Sequence, residues 1–250
     1  MFLGEFSLFI LSYIFIVYLI CGVIKGTIGF GMPTVSISLL VFFIDVKVII
    51  ALILIPTIIV NFYQLSRGGN FKKIFNETKF FLFSSTIFIF PGSYLLNLIN
   101  SQFIILFIAL VLFMNSILFL TNIKYTLSSY KSPLIQILIG SINGVIIGMT
   151  SIYTMPLIFL LQSLRYNKDT TVQFLGIAFF LYPIAQLLSF TNLNLISLEI
   201  VKISFLALLP IFLGLYIGQK IRKKISESLF QKFFYCMLLM MSLIIIISLI

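Results

Sequence analysis

The chain has 250 residues, of which 61% are hydrophobic and only 9% are charged, with a formal net charge of +10. So few charges exclude a soluble domain of this size, and the sequence predicts an all-helical polytopic membrane protein with one transmembrane domain over residues 1–250. The chain has no histidine, and its cysteines and acids form no cluster, which argues against a metal site, a cofactor and enzymatic catalysis.

Ten apolar segments follow one another along the sequence, at about 8–24, 26–44, 47–65, 79–99, 103–121, 134–149, 151–163, 170–190, 198–217 and 229–250. A membrane span needs about 20 apolar residues. Most of the segments reach that length, whereas 134–149 and 151–163 do not. This pair, joined at Met149-Thr150, and the first pair, joined at Lys25-Gly26, are either full spans or broken, re-entrant elements.

Basic residues concentrate in four connections: 66–78, 122–133, 164–169 and 219–228. The connections 97–102 and 191–197 carry none. Since cytoplasmic loops are enriched in Lys and Arg, we place the four basic connections inside, which leaves only Lys47 and Lys202 outside. We therefore predict a bacterial cytoplasmic (inner) membrane protein with both termini outside. Membrane orientation in the lipid bilayer explains the basic residues better than a nucleic-acid-binding face does.

The two halves of the chain match at an offset of 118 residues. Gly22 pairs with Gly140, Gly26 with Gly144, Lys25 with Asn143, Ser38 with Pro156 and Lys47 with Arg165. Five segments in each half reverse its direction in the membrane. We predict two inverted-topology repeats, repeat 1 at about 1–121 and repeat 2 at about 134–250.

Each predicted repeat carries a stretch rich in glycine. Gly22–Pro33 has four glycines, a proline and a lysine, and Gly140–Pro156 resembles it. At membrane depth, backbone groups freed by Gly and Pro must be satisfied by neighbouring protein or by a water-filled cavity. Two broken segments in corresponding halves indicate a transporter binding site.

Each candidate residue in these stretches has a structural alternative. Glycine amides could approach an anion, but Gly22-x-x-x-Gly26 is also a helix-packing motif. Lys25 could attract an anion or extend to the cytoplasmic interface. Hydroxyl groups could donate to oxyanion oxygens or bond within their own helices; these belong to Ser36, Ser38, Thr150, Ser151, Tyr153 and Thr154.

Polar amides at bilayer depth, such as Asn61 and Gln64, could contact substrate or tie helices together. The predicted substrate-binding set comprises Lys25, Gly26, Gly29, Gly31, Ser36, Asn61, Gln64, Asn143, Gly144, Gly148, Thr150, Ser151 and Thr154. All six acidic residues fall at segment ends. This placement favours a small anionic substrate and leaves the coupling ion open.

Three stretches resemble the sulfite exporter TauE/SafE family. Gly22–Leu40 is similar to its glycine-rich signature. Pro56–Gln64, followed by Arg67-Gly68-Gly69, and Gln173–Phe179 are similar to segments of one branch. The resemblance covers essentially the whole chain. One departure is Met149-Thr150-Ser151, where many members have a run of glycines, and it puts a cradle made only of backbone in doubt.

The resemblance implies a bacterial inner-membrane permease with about eight spans that moves sulfite or organosulfonates. We expect a secondary transporter that binds a small sulfur anion between the two broken segments and works by alternating access, without a cofactor and with homo-oligomers left open. The alternatives are an anion channel, a carrier of a non-sulfur carboxylate and, least favoured, a membrane scaffold protein.

Overall fold

The computed structural model describes residues 8–65, 69–122, 127 and 129–249. This part of the chain forms helices and no strands, which confirms the all-helical prediction. Arg67, Gly68, Lys124 and the first seven residues, on which part of the orientation and resemblance arguments rested, lie outside it. In chain order the helices are α1 (Leu8–Ile28), α2 (Met32–Leu40), α3 (Val46–Leu65), α4 (Phe71–Leu98), α5 (Ser101–Leu120), α6 (Pro133–Thr150), α7 (Leu157–Leu164), α8 (Lys168–Asn192), α9 (Leu198–Leu206), α10 (Leu208–Arg222) and α11 (Glu227–Ser248).

Within the described ranges, seven stretches are long and apolar enough to cross a membrane, namely α1, α4, α5, α6, α8, α9 taken with α10, and α11. Helix α3 carries a shorter apolar stretch, Val46–Phe62. Large apolar side chains on these helices are exposed, including Phe103 at 67% and Phe233 at 69%. Such surfaces fit lipid rather than water, so the protein is a multi-pass membrane protein.

The two predicted segment pairs are each one long helix followed by a short one. Helices α2 and α7 have 9 and 8 residues, or about 14 and 12 Å at 1.5 Å per residue, too short to cross alone. The breaks also lie later than the predicted joints, because α1 continues to Ile28 and α6 to Thr150.

Between α9 and α10 the chain divides at Ala207. Pro210 follows three residues later and cannot continue the hydrogen-bond ladder.

The helices form two compact units. Unit 1 comprises 1–56, 101–121 and 194–250, and unit 2 comprises 57–100 and 122–193. Each unit therefore combines helices from both predicted repeats. The order long, short, long recurs in α1–α3 and α6–α8, which is consistent with a repeat, but its boundaries and inversion stay a prediction.

In unit 1, α1 packs in parallel against α10 through glycines. A Cβ on Gly22 would clash with the carbonyl oxygen of Ile211, and one on Gly26 with that of Leu215. The facing glycine of α10 at the second contact is Gly218, whose own Cβ would clash with α1. Both residue numbers rise together along the interface. Small residues thus let the two backbones touch.

In unit 2, α6 packs against α4 in the same manner. A Cβ on Gly144 would clash with the carbonyl oxygen of Ser85, and one on Gly148 with that of Ile89. The four-residue step on both helices matches that of α1 and α10. Each unit is therefore built on one parallel, glycine-mediated helix pair.

Basic residues gather at one end of each unit. In unit 1, Lys25 lies in the last turn of α1, and Lys220 and Arg222 lie in the last turn of α10. The opposite end is marked by Asp45, whose carboxylate accepts a hydrogen bond from Ser101.

The basic end of unit 2 is held together by Tyr166. Its hydroxyl donates to Glu77 Oε2 over 2.7 Å, and Lys73 Nζ lies 5.6 Å from the centre of its ring. Burial, followed by the bond to Glu77, raises the pKa of the Tyr166 phenol well above its ordinary value. The phenol therefore stays protonated and remains a donor.

Candidate functional site: two breaks between long and short helices

The break in unit 1 is the short segment Gly29–Gly31. Gly29 and Gly31 have φ of 90° and 96°, a region that L side chains rarely adopt and glycine enters freely. The chain then folds back along α1: the Cys21 thiol donates to the carbonyl oxygen of Met32 over 3.5 Å, and the Tyr13 hydroxyl donates to that of Leu39 over 2.9 Å. Helix α2 therefore begins beside Cys21, seven residues or about 10 Å from the end of α1.

The break in unit 2 spans residues 151–156 and repeats this geometry. The backbone N–H of Leu157, the first residue of α7, donates to Asn143 Oδ1 over 3.2 Å. Asn143 lies seven residues before Thr150, the end of α6. Both short helices thus start about 10 Å back from the end of the long helix, well within the length of a membrane span. Pro33 is the second residue of α2 and Pro156 is the N-cap of α7, so Pro156 corresponds in place to Pro33 more nearly than to Ser38.

The two short helices differ in how their first backbone N–H groups are satisfied. Asn143 caps α7, as described above. At α2 the N-cap residue is Gly31, which has no side chain, and the hydrogen bonds of the described residues include none from the backbone N–H of Met32 or Thr34. The position of α1 that matches Asn143 in the sequence is Lys25, whose ammonium has no acceptor atom and cannot cap a helix N-terminus.

Lys25 is only 6% exposed. Its side chain is therefore enclosed by protein rather than extended to the surface. The elements on the two sides of this break thus carry hydrogen-bond donors, which are the Lys25 amine in the last turn of α1 and the first amides of α2.

The glycines of the predicted site separate into two kinds. Gly26, Gly144 and Gly148 lie in helix–helix contacts, so the packing alternative accounts for them. Gly29 and Gly31 lie in the break itself. A Cβ on Gly29 would meet open space, whereas one on Gly31 would meet the ring of Phe234.

The hydroxyl groups of the predicted site also differ, since Thr150 and Ser151 donate hydrogen bonds within the protein and Ser36 does not. Thr150 donates to the carbonyl oxygen of Ile146, and Ser151 donates to Gln186 Oε1, both over 2.7 Å. Thr154 is half-buried in the break, and its carbonyl oxygen accepts from Ile158. Ser36 is fully buried and lacks a hydrogen-bond partner among the described residues.

Ser151 is also the residue at which the chain departs from a run of glycines. Its φ is 53°, a left-handed conformation for which glycine is favoured. The bond to Gln186 holds it there. Gln186 in turn donates to the carbonyl oxygens of Ile147 and Gly148 and so satisfies the end of α6.

Of the two predicted amides on α3, Asn61 forms a hydrogen bond within its own helix and Gln64 connects α3 to α8. Asn61 Nδ2 donates to the carbonyl oxygen of Thr57 over 2.8 Å, within its own helix. Gln64 Nε2 donates to that of Val172 on α8 over 3.0 Å.

Sequence reasoning missed several residues that the structure brings to these sites. Asn143 Nδ2 donates to Ser85 Oγ over 3.2 Å and to the Tyr182 hydroxyl over 3.5 Å. The hydroxyls of Tyr18 and Ser93, which the sequence did not single out, are buried without a hydrogen-bond partner among the described residues. The same holds for Tyr153, which the sequence named as a possible donor but which was left out of the predicted binding set. A lone Ser or Tyr within an apolar run is the only sequence signal for them, and it does not separate a paired hydroxyl from an unpaired one.

Comparison with known proteins gives one match. Residues 14–245 match the model of the family described as sulfite exporter TauE/SafE. No curated protein and no solved structure matches the chain. The match covers nearly the whole chain, including both helix breaks, and confirms the resemblance seen in the glycine-rich stretch; this membrane protein belongs to the sulfite exporter TauE/SafE family.

Proposed function

We propose that the protein is a secondary transporter and not an enzyme, and that it moves a small sulfur oxyanion or organosulfonate across the bacterial cytoplasmic membrane by alternating access. Its family is a family of membrane transporters for sulfur anions. The choice of anion, the alternating access and the inner-membrane location with both termini outside are our proposals.

One observation carries the proposal: the break in unit 1 combines an uncapped helix N-terminus with a buried lysine. In unit 2 the matching site is closed by the Asn143 amide. Lys25, which matches Asn143 in the sequence, lies in the last turn of α1 and carries no acceptor atom that could cap α2. An anion can accept hydrogen bonds from the first amides of α2 and is favoured there by the helix dipole.

The glycines at this break support the proposal. Positive φ at Gly29 and Gly31 turns the chain so that α2 starts at membrane depth. The open space at Gly29 leaves the backbone accessible to a small ligand. Helix breaks of this kind recur in transporters where the free backbone faces a substrate.

The experiment is flux measurement in proteoliposomes with the wild type, Gly29→Val and Gly69→Val. Gly69 is a matched control, because it also has a positive φ, of 67°, and open space around a Cβ, but lies outside both breaks. The panel comprises sulfite, sulfate, thiosulfate, methanesulfonate and chloride. We expect saturable wild-type flux of a sulfur anion, a loss of at least about tenfold in Gly29→Val and near-normal flux in Gly69→Val.

Equal flux in all three proteins would refute the assignment of the break. Non-saturating conductance would identify a channel. Transport of a carboxylate in place of every sulfur anion would refute the proposed substrate class.

A further inference from the structure

Tyr153 carries a hydroxyl group that is buried and unpaired. The side chain is 4% exposed, and its hydroxyl has no hydrogen-bond partner among the described residues. A phenol in that state has given up its hydrogen bonds to water without replacement, which is unfavourable. Tyr153 did not belong to the predicted binding set.

Its polar neighbours are paired with one another. Ser151 bonds to Gln186, and Asn143 bonds to Ser85, Tyr182 and the first amide of α7. The unpaired hydroxyl therefore does not reflect a loosely packed region. The Tyr153 hydroxyl lies beside a hydrogen-bond network in which the other side chains are paired.

Aromatic packing fixes the ring of Tyr153. Its centre lies 5.4 Å from that of Phe179 and 6.0 Å from that of Tyr182. Phe30 holds the equivalent place in unit 1, three residues before Pro33 as Tyr153 is three before Pro156, and it too contacts two aromatic rings. Phenylalanine therefore packs at such a break, and aromatic packing alone does not account for the hydroxyl of Tyr153.

A second unpaired hydroxyl lies at the start of the same break. Ser93 Oγ on α4 is buried and has no hydrogen-bond partner among the described residues. Ser93 adjoins Gly148 in the last turn of α6. Of the described residues of unit 2, the two buried hydroxyls without a partner thus lie in this break and on the helix that packs against its start.

We propose that the Tyr153 hydroxyl donates a hydrogen bond to an oxygen atom of the transported oxyanion as the anion passes the break of unit 2, and so contributes to substrate specificity. This inference rests on the proposed transport function. A phenol gives one directed hydrogen bond, and a sulfur oxyanion offers charged acceptor oxygens for it.

The test compares Tyr153→Phe with Tyr182→Phe, which removes a hydroxyl that already has partners. Thermal unfolding of the purified proteins without anion comes first. Removing an unpaired buried hydroxyl should leave Tm unchanged or raise it, whereas Tyr182→Phe should lower Tm. Flux in proteoliposomes follows, with sulfite or the panel anion that the wild type carries. Tyr153→Phe should raise KM about tenfold or more, since hydrogen bonds to charged groups are among the stronger ones.

The outcomes separate this inference from the function on which it rests. A lower Tm for Tyr153→Phe without anion, or an unchanged KM in a transporting protein, overturns the role of Tyr153 and leaves the transporter proposal standing. If the wild type transports no anion of the panel, both the role of Tyr153 and the transporter proposal are overturned. A tenfold rise in KM with an unchanged Tm supports the inference.

Discussion

Asn143 shows how one side chain can decide what a helix break does. Its Oδ1 accepts from the first amide of α7, while its Nδ2 donates to Ser85 and Tyr182. Every part of the amide is used within the protein, so this break offers no free helix terminus to a ligand. Lys25, at the matching position of α1, has the opposite property because it can only donate.

We expect Asn143→Leu to destabilise the protein by about 2–4 kcal/mol, because it leaves the buried Leu157 N–H and the partner hydroxyls without hydrogen bonds. Thermal unfolding in detergent measures the effect. Ser141→Ala is the control, since Ser141 donates only within its own helix and its loss should change stability by less than about 0.5 kcal/mol. Equal effects of the two substitutions would refute the capping role.

At the scale of elements, the parallel pair of α1 and α10 explains the glycines that the sequence placed in a binding site. Gly26 needs no unusual φ; it needs the backbone of α10 at close range. A substitution there should therefore act on folding before it acts on transport.

We expect Gly26→Ala to lower the folded, monodisperse fraction and to destabilise the protein by about 1–3 kcal/mol, because its Cβ would overlap the α10 backbone. Fluorescence-detected size-exclusion chromatography and thermal unfolding check this. Gly29→Ala adds the same atom to open space, so it overlaps no backbone and should stay monodisperse, with a loss of stability limited to about 1–2 kcal/mol, which an L side chain costs at positive φ. A Gly26→Ala protein that folds like the wild type but does not transport would instead place Gly26 in the binding site.

The elements themselves were well predicted, and the reasons for the exceptions are physical. Hydrophobic runs fixed the long helices, and clustered Gly and Pro located both breaks to within a few residues. The same clustering placed the first joint too early, at Lys25-Gly26, because glycine signals both a close helix contact and a positive φ. Only the three-dimensional partner distinguishes the two, and Gly29 has none while Gly26 faces α10.

The sequence could not predict which hydroxyl groups have a hydrogen-bond partner, for a related reason. From the sequence alone, the Thr150 and Tyr153 hydroxyls are equally plausible donors to a bound anion. The first is satisfied by a carbonyl of its own helix and the second by nothing described. Which carbonyl lies within reach depends on packing at the scale of tenths of an ångström.

At the scale of the whole molecule, the positions of charge support one orientation. Parallel packing of α1 on α10 brings Lys25, Lys220 and Arg222 to one end of unit 1. Basic ends are expected in the cytoplasm. The amino end of α1 then faces outwards, as we predict from the sequence.

Labelling of single cysteines tests that orientation. In a background with Cys21→Ala and Cys236→Ser, we expect Asn100→Cys to react with a membrane-impermeant maleimide on intact cells. Lys223→Cys should react only after the membrane is opened. Both positions are exposed in the structure, so accessibility within the protein is matched. The reverse pattern would invert the orientation.

The glycine-mediated helix pairs also impose an order of assembly during synthesis. Helix α6 ends 52 residues after α4, whereas α10 ends 194 residues after α1. At about 5–20 residues per second, α4 meets its partner within roughly 3–10 s and α1 waits roughly 10–40 s. Unit 2 has all its residues once residue 193 is made, while unit 1 needs the last helix of the chain. Helix α1 is thus made before α4 but finds its glycine-mediated partner later, and its glycine face stays open to lipid or to chaperones until α10 has been made.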